Sequence, residues 1–89
     1  MVLASIGAIN EGILWRVIEC ESGFDQKARG RAGEIGILQF LPETFKWMSE
    51  LSGLKGSIYN SEDQIRLGDW AMKNHLGFHW TCFRKLSHP

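Results

Sequence analysis

Hydrophobic positions recur with the period of an α-helix in three stretches of this chain, and glycines separate the stretches. The first stretch predicts a helix over about residues 8–22, because Gly23 is the kind of residue that usually follows a helix C-terminus. Its predicted inward-facing stripe consists of Ile9, Ile13, Leu14, Val17, Ile18 and Glu21. A carboxylate in such a stripe is unusual, since acidic residues are rarely buried unless they are paired or functional.

The other two stretches predict helices in the second half of the chain. One begins at Pro42, because proline suits the first helical turn, and stops at Gly53. Its apolar positions are Phe45, Trp47, Met48 and Leu51. The last helix is predicted to begin in a capping box, in which Ser61 and Gln64 bond each other's backbone donors. It continues to Gly77 through Ile65, Met72 and Leu76.

The remaining segments predict loops. Residues 36–41 form a short apolar run that suits either a strand or a buried turn, and residues 24–35 form a polar loop. The aromatic tail, residues 78–83, is expected to fold back over the first helix. The pattern therefore predicts a small all-α fold, with room for a minimal β or extended segment in the loop after the first helix. We expect residues 1–89 to form a single domain.

Composition and charge narrow the class of partner. Of the 89 residues, 44% are hydrophobic and 11% aromatic, which is typical of a globular chain and not of a disordered one. The formal net charge of +0 argues against nucleic acid as the partner and suits an uncharged polymer such as a glycan. Residues 1–10 lack the basic start and long apolar core of a signal peptide, and we expect no membrane span.

Glu21 is the residue with the clearest chemical signal. It lies at the predicted end of the first helix, on the apolar stripe. Burial disfavours the charged carboxylate, and so does the negative end of the helix dipole. A carboxylic acid that keeps its proton near neutral pH is what a general acid needs to protonate a leaving oxygen. The alternative is a buried glutamate that caps the helix or pairs, for example with Arg29 or Arg31.

Four short motifs, in order, carry a family resemblance. They are Glu21-Ser22-Gly23-Phe24, the glycine-spaced segment at residues 32–40 that ends in Gln39-Phe40, Leu41-Pro42-Glu43-Thr44-Phe45, and residues 60–68. Each is weak alone, but the ordered set resembles the lytic transglycosylase catalytic domain of the lysozyme-like superfamily. The family commonly has Asn at the position of Gln64 and Tyr near the position of Trp70.

The resemblance implies a mechanism with one acid/base residue. Glu21 would protonate the glycosidic oxygen between N-acetylmuramic acid and N-acetylglucosamine, and the substrate's 2-acetamido group would stabilise the charged centre. Glu21 would then act as base while the C6 hydroxyl closes a 1,6-anhydro ring. The resemblance also implies substrate contacts from Ser22, Gly36, Gln39, Phe40, Gln64 and Trp70. The alternatives are helix capping for Ser22, a simple turn for Gly36, a satisfied core amide for Gln39 and core packing for Trp70.

Two acidic residues keep a hydrolytic alternative open. If Glu34 faced Glu21 across a cleft it could position water as a second carboxylate, which would make the enzyme a muramidase. The favoured interpretation is a surface carboxylate beside Arg31, and Asp25 is likewise expected to be a loop residue. Two hypotheses are not enzymatic. One is a non-catalytic peptidoglycan-binding module, and the other is a small helical interaction domain.

The cysteines bear on stability and location. Cys20 and Cys82 lack metal-ribbon spacing, so they are either buried free thiols or one disulfide, which would stabilise by about 3–5 kcal/mol. Small size and an extracytoplasmic setting favour the disulfide, and Cys20 before Glu21 together with Trp80-Thr81-Cys82 resembles a small extracellular subgroup. We expect no metal at His75, His79 and His88, no cofactor, and a monomer that acts on peptidoglycan strands. We expect it to act outside the cytoplasm, as a periplasmic, cell-wall or secreted protein. It would be a domain of a longer exported protein, derive from a phage, or reach its substrate by release on lysis.

Overall fold

The computed structural model describes the backbone of residues 2–87 and the side chains of residues 12–87. Their elements follow in the order α1 (Val2–Ser22), α2 (Pro42–Ser52), α3 (Ser61–Lys73), a 3₁₀ turn η1 (Gly77–His79) and α4 (Thr81–Ser87). No strand occurs in this part of the chain, and the predicted all-α class is confirmed.

Helix α1 is longer than its sequence pattern predicts, because it begins at Val2 and not near residue 8. The added segment contains no proline, and its glycine lowers helix propensity by only about 1 kcal/mol, which does not end a helix. Leu14, Val17 and Ile18 are buried as predicted, and Ile13 is half-buried. The predicted inward position at Ile9 lies outside the described side chains, as do all the side chains of residues 1–11.

Helix α2 has the predicted bounds. It begins at Pro42 and ends before Gly53, which adopts a left-handed conformation with φ of 76° and donates its N–H to the Ser49 carbonyl. Phe45 and Met48 face the core, whereas Trp47 is exposed.

Helix α3 differs from its prediction at both ends. Asn60 is the N-cap, because its side chain accepts a hydrogen bond from the Asp63 N–H, so the predicted capping box with Ser61 does not form. Gln64 turns inward and is 1% exposed. The helix stops at Lys73 with Asn74 as its cap, and Gly77 belongs to the separate turn η1.

The loop between α1 and α2 holds the only extended pairing seen in the described residues. Single antiparallel bridges join Arg29 to Ile35 and Ile35 to Phe40. The second bridge closes residues 36–39 into a buried turn, in which the Gln39 N–H bonds the Gly36 carbonyl. The apolar run at residues 36–41 is therefore mostly turn.

The core forms where α1 crosses α3 and α4 and where α2 packs on α3. Its buried members come from all four helices, from residues 37–40 of the buried turn and from the residue between η1 and α4: Leu14, Val17, Ile18, Ile37, Leu38, Phe40, Phe45, Met48, Leu67, Ala71, Trp80 and Cys82. The tail packs against α1 as predicted, and a disulfide between Cys20 and Cys82 joins them, with Cα atoms 6.0 Å apart. None of the described helices combines the length and apolar character that a bilayer crossing needs.

Candidate active site

An open cavity of about 160 Å³ lies where the end of α1, the 34–41 segment, the start of α2 and the tail meet. Its walls are formed by Glu21, Glu34, Gln39, Phe40, Leu41, Thr44, His79, Trp80 and Thr81. A second depression, of about 480 Å³, shares Leu41 and Thr44 with it and continues to Ala32 and Gly33. The two together form a groove, a shape that suits a segment of a long polymer better than a small enclosed ligand.

The Glu21 carboxyl lies in this cavity at the end of α1 and is half-buried. Burial raises the pKa of Glu21 above the ordinary value of a glutamate, because the surroundings solvate the carboxylate less well than water does. The Cys82 backbone N–H, which lies 3.4 Å from Oε2, lowers this pKa, and the negative charge of Glu34 raises it. The net effect is the raised pKa that the sequence predicts.

Two contacts fix the position of Glu21. The Ser22 hydroxyl donates to the Ile37 carbonyl at 2.7 Å, which ties the end of α1 to the buried turn. On the other side, the disulfide of Cys20 brings Cys82 and its N–H to the carboxyl. Gly23 then ends the helix in a left-handed conformation with φ of 62°. The backbone on both sides of the carboxyl is therefore held by the rest of the fold.

Gln39 and Phe40 are the predicted substrate contacts that the structure brings into the cavity. Gln39 has a positive φ of 51°, and its Nε2 donates to the carbonyls of Ala28 and Gly36 at 3.1 and 2.8 Å. Its amide is thus held at the cavity wall by backbone partners. Phe40 is almost fully buried and packs edge-on against Phe45 and Trp80, so it supports the wall from behind.

Glu34 lines the same cavity as Glu21, whereas the sequence interpretation favoured a surface carboxylate beside Arg31. The carboxylate is half-buried and its Oε1 accepts a hydrogen bond from the Ala32 N–H at 2.8 Å. It also lies so close to Gly30 that a Cβ there would be 2.3 Å from Oε1. Contacts within its own loop therefore hold Glu34, and Arg31 is an exposed neighbour.

Four predicted substrate contacts lie outside the cavity lining. Ser22 bonds the buried turn, and Trp70 is half-buried against the core. Gln64 bonds the Leu38 N–H and the carbonyls of Ile35 and Ile58, at 2.9, 2.9 and 2.6 Å. Gly36 has φ of 82° and lies against this amide, since a Cβ would be 2.3 Å from Gln64 Nε2. Gln64 and Gly36 therefore build the turn that carries Gln39.

Sequence reasoning did not single out Thr44, His79 and Thr81, which also line the cavity. The sequence carried a signal for Thr44, because this residue belongs to the proline-x-threonine motif. His79 was weighed only as a metal ligand. Its ring lies at the cavity through a long-range contact with Trp47 of α2, which periodicity does not predict. In residues 12–87 no three His, Cys, Asp or Glu side chains come together as a metal site would require, and His88 lies outside the described residues.

Comparison with known proteins identifies the family. The profile of the Transglycosylase SLT domain matches residues 3–79, and the chain belongs to that family. Membership implies transglycosylase-type cleavage of peptidoglycan, which lies outside the cytoplasm. Searches of curated proteins and of solved structures give no significant match.

Proposed function

We propose that this protein is a lytic transglycosylase that cleaves the β-1,4 bond between N-acetylmuramic acid and N-acetylglucosamine, with Glu21 as its one acid/base residue. The observation that carries the proposal is the half-buried Glu21 carboxyl, whose pKa is raised and which faces a groove open to a polymer. Membership in the SLT family supports it. A protonated carboxyl in such a groove can deliver its proton to a bridging oxygen.

In the first step the proton of Glu21 moves to the glycosidic oxygen as the bond from that oxygen to C1 breaks. The oxygen of the substrate's 2-acetamido group stabilises the positive charge that develops at C1. In the second step the C6 hydroxyl attacks C1 and its proton returns to Glu21, which closes the 1,6-anhydro ring. Water is not consumed, and one carboxylate serves where hydrolytic glycosidases use two. Gln39, held by Ala28 and Gly36, would orient the sugar beside Glu21.

Replacement of the acid tests the proposal. Glu21→Gln keeps the shape and the oxygen that can accept from the Cys82 N–H, but it cannot donate the required proton. Cleavage of purified sacculi should fall at least about a hundredfold, while binding to the glycan persists. Glu19→Gln is the matched control, because Glu19 is an exposed residue two positions away on the same helix. A Glu21→Gln protein that cleaves at a rate near that of the unaltered protein would refute the assignment.

A hydrolytic muramidase is the second candidate, and the presence of Glu34 in the same cavity favours it. Glu34 would act as the base that activates water, so products would carry a reducing end. Transglycosylation is better supported, because the chain belongs to the SLT family. Mass analysis of the digested muropeptides distinguishes an anhydro end from a reducing end. Binding without any cleavage would instead identify a peptidoglycan-binding module.

We further propose that the protein acts in the periplasm, in the cell wall or outside the cell, where its substrate lies. We also propose that the protein acts as a monomer, which sedimentation of the active protein would test.

A further inference from the structure

Three aromatic rings continue from the catalytic cavity across the surface of the protein. His79 lines the cavity, and its ring stacks on that of Phe78 with centroids 4.5 Å apart and planes inclined by 28°. The His79 ring also contacts the Trp47 ring, with 5.7 Å between the two centroids. Trp47 and Phe78 are 45% and 54% exposed, so the rings are not part of the core. We call Trp47, His79 and Phe78 the aromatic row.

The aromatic row is held in place by the backbone around it. Trp80, the next residue after His79, donates its indole N–H to the buried Leu38 carbonyl at 2.8 Å. Arg84 bonds the Phe78 carbonyl and, at 3.1 Å, the Thr81 hydroxyl. Gly77 lies so tightly on the Phe83 ring that a Cβ would come within 2.7 Å of it. The turn η1 therefore presents its rings in a preset position, which reduces the entropy that a ligand must offset.

We propose that the aromatic row is a sugar-stacking subsite that binds pyranose rings of the glycan strand beyond the bond cleaved at Glu21. The ligand class follows from continuity, since His79 belongs both to the cavity and to the row, and Trp47 lies one helical turn from the cavity residue Thr44. Pyranose rings present apolar C–H faces, which suit the electron-rich faces of aromatic rings. The row contributes binding along the strand and takes no part in the chemical step.

The identity of the glycan rests on the proposed function, so binding and cleavage are measured separately. Affinity is measured by calorimetry in the Glu21→Gln background, with uncross-linked strands of alternating N-acetylglucosamine and N-acetylmuramic acid, from a disaccharide upward. Trp47→Ala and Phe78→Ala should each weaken binding about three- to tenfold, and the loss should grow with strand length. Both side chains are exposed, so the variants should keep the circular dichroism and thermal midpoint of the parent.

The chain contains a matched control pair. Trp15 and Phe24 are 45% and 51% exposed, their ring centroids are 6.2 Å apart, and neither lines the cavity. Trp15→Ala and Phe24→Ala should leave glycan affinity unchanged. Equal losses in both pairs, or no loss at Trp47 and Phe78 at any length, would overturn the subsite. So would a change in self-association, measured by sedimentation, in place of a change in glycan affinity.

The result is independent of whether the chain is catalytic. If the unaltered protein leaves sacculi uncleaved but Trp47 and Phe78 govern strand affinity, the subsite stands and the enzymatic proposal fails. If sacculi are cleaved to anhydro products while Trp47→Ala and Phe78→Ala bind as tightly as the parent, the subsite fails and the enzymatic proposal stands. Absence of any glycan binding by the parent would overturn the subsite directly.

Discussion

At the scale of single residues, Glu21, the proposed acid, carries a stability cost. The folded state raises its pKa, chiefly through burial, so the native protein binds this proton more tightly than the unfolded chain does. Stability must therefore fall as the pH rises from the ordinary glutamate pKa through the raised one, and the whole cost is present above that window. Such a cost is typical of groups kept for function.

The Glu21→Gln variant should accordingly be more stable than the parent at pH values above this window. At acid pH, below the ordinary glutamate pKa, the difference should shrink, because both side chains are then neutral. Urea denaturation at the two pH values measures it, with the exposed Glu19→Gln as the control. A Glu21→Gln protein that is less stable than the parent above the window would show that the carboxylate serves the fold.

Glu34 should adjust the pH range of catalysis. Its negative charge raises the pKa of Glu21, so Glu34→Gln should lower that pKa. The proton donor is then lost at a lower pH, and the alkaline limb of the pH–rate profile should move toward acid while anhydro products persist. The rate of sacculus digestion as a function of pH measures the shift. If the variant instead stops cleaving at every pH, Glu34 is a second catalytic carboxylate, and this result would support the muramidase hypothesis.

At the scale of elements, one amide on α3 organises the turn that holds the site. Gln64 satisfies the Leu38 N–H and two carbonyls in the interior, and Gly36 leaves the space for it. Gln64→Leu would leave the buried Leu38 N–H without its partner, while the Ile35 carbonyl keeps its bond from the Phe40 N–H, and should cost about 1–3 kcal/mol in the free energy of unfolding. Gln26→Leu, at an exposed position, is the control. If Gln64→Leu folds as stably as the parent but loses glycan affinity, Gln64 acts on the substrate after all.

Helices α2 and α3 show what the sequence could and could not predict. The bounds of α2 were predicted correctly, because Pro42 and Gly53 start and end a helix through their own local backbone preferences. At α3 two adjacent residues could both cap, and the choice of Asn60 over Ser61 follows from where the preceding loop enters the helix. Gln64 was predicted as a cap and as a sugar contact. Two of its three partners, on Leu38 and Ile35, are 26 and 29 residues away, and nothing local in the sequence indicates them.

The residues of the candidate site that the sequence predicted are those that a local sequence pattern indicates. Glu21 stood out because an acidic residue interrupts an apolar stripe, and Gln39 because a motif surrounds it. Glu34 was assigned to the surface, since its place in the cavity depends on the Ile35–Phe40 bridge and on the Ala32 N–H that holds it. The position of His79 at the cavity depends on how the tail packs. Both positions are consequences of tertiary packing, which hydrophobic periodicity does not predict.

At the scale of the whole molecule, a chain of 89 residues buries a modest core, so a cross-link contributes a large share of its stability. The disulfide joins Cys20 on α1 to Cys82 on α4 across a sequence separation of 62 residues. Closing a loop of that length in the unfolded chain lowers its entropy by an amount worth about 4 kcal/mol.

The same bond carries a consequence for catalysis, because it holds the Cys82 N–H beside the Glu21 carboxyl. Replacing both cysteines with serine should lower the free energy of unfolding by about 4 kcal/mol, measured by urea denaturation against the oxidised parent. Where the variant remains folded, α4 is held to α1 by packing alone, so the wall of the cavity formed by Trp80 and Thr81 becomes less fixed and cleavage should slow. The parent treated with a thiol reductant should behave like the double serine variant. This control distinguishes the effect of losing the covalent bond from the effect of the serine side chains. Two alkylatable thiols in the oxidised parent, or equal stability of parent and double variant, would contradict this account.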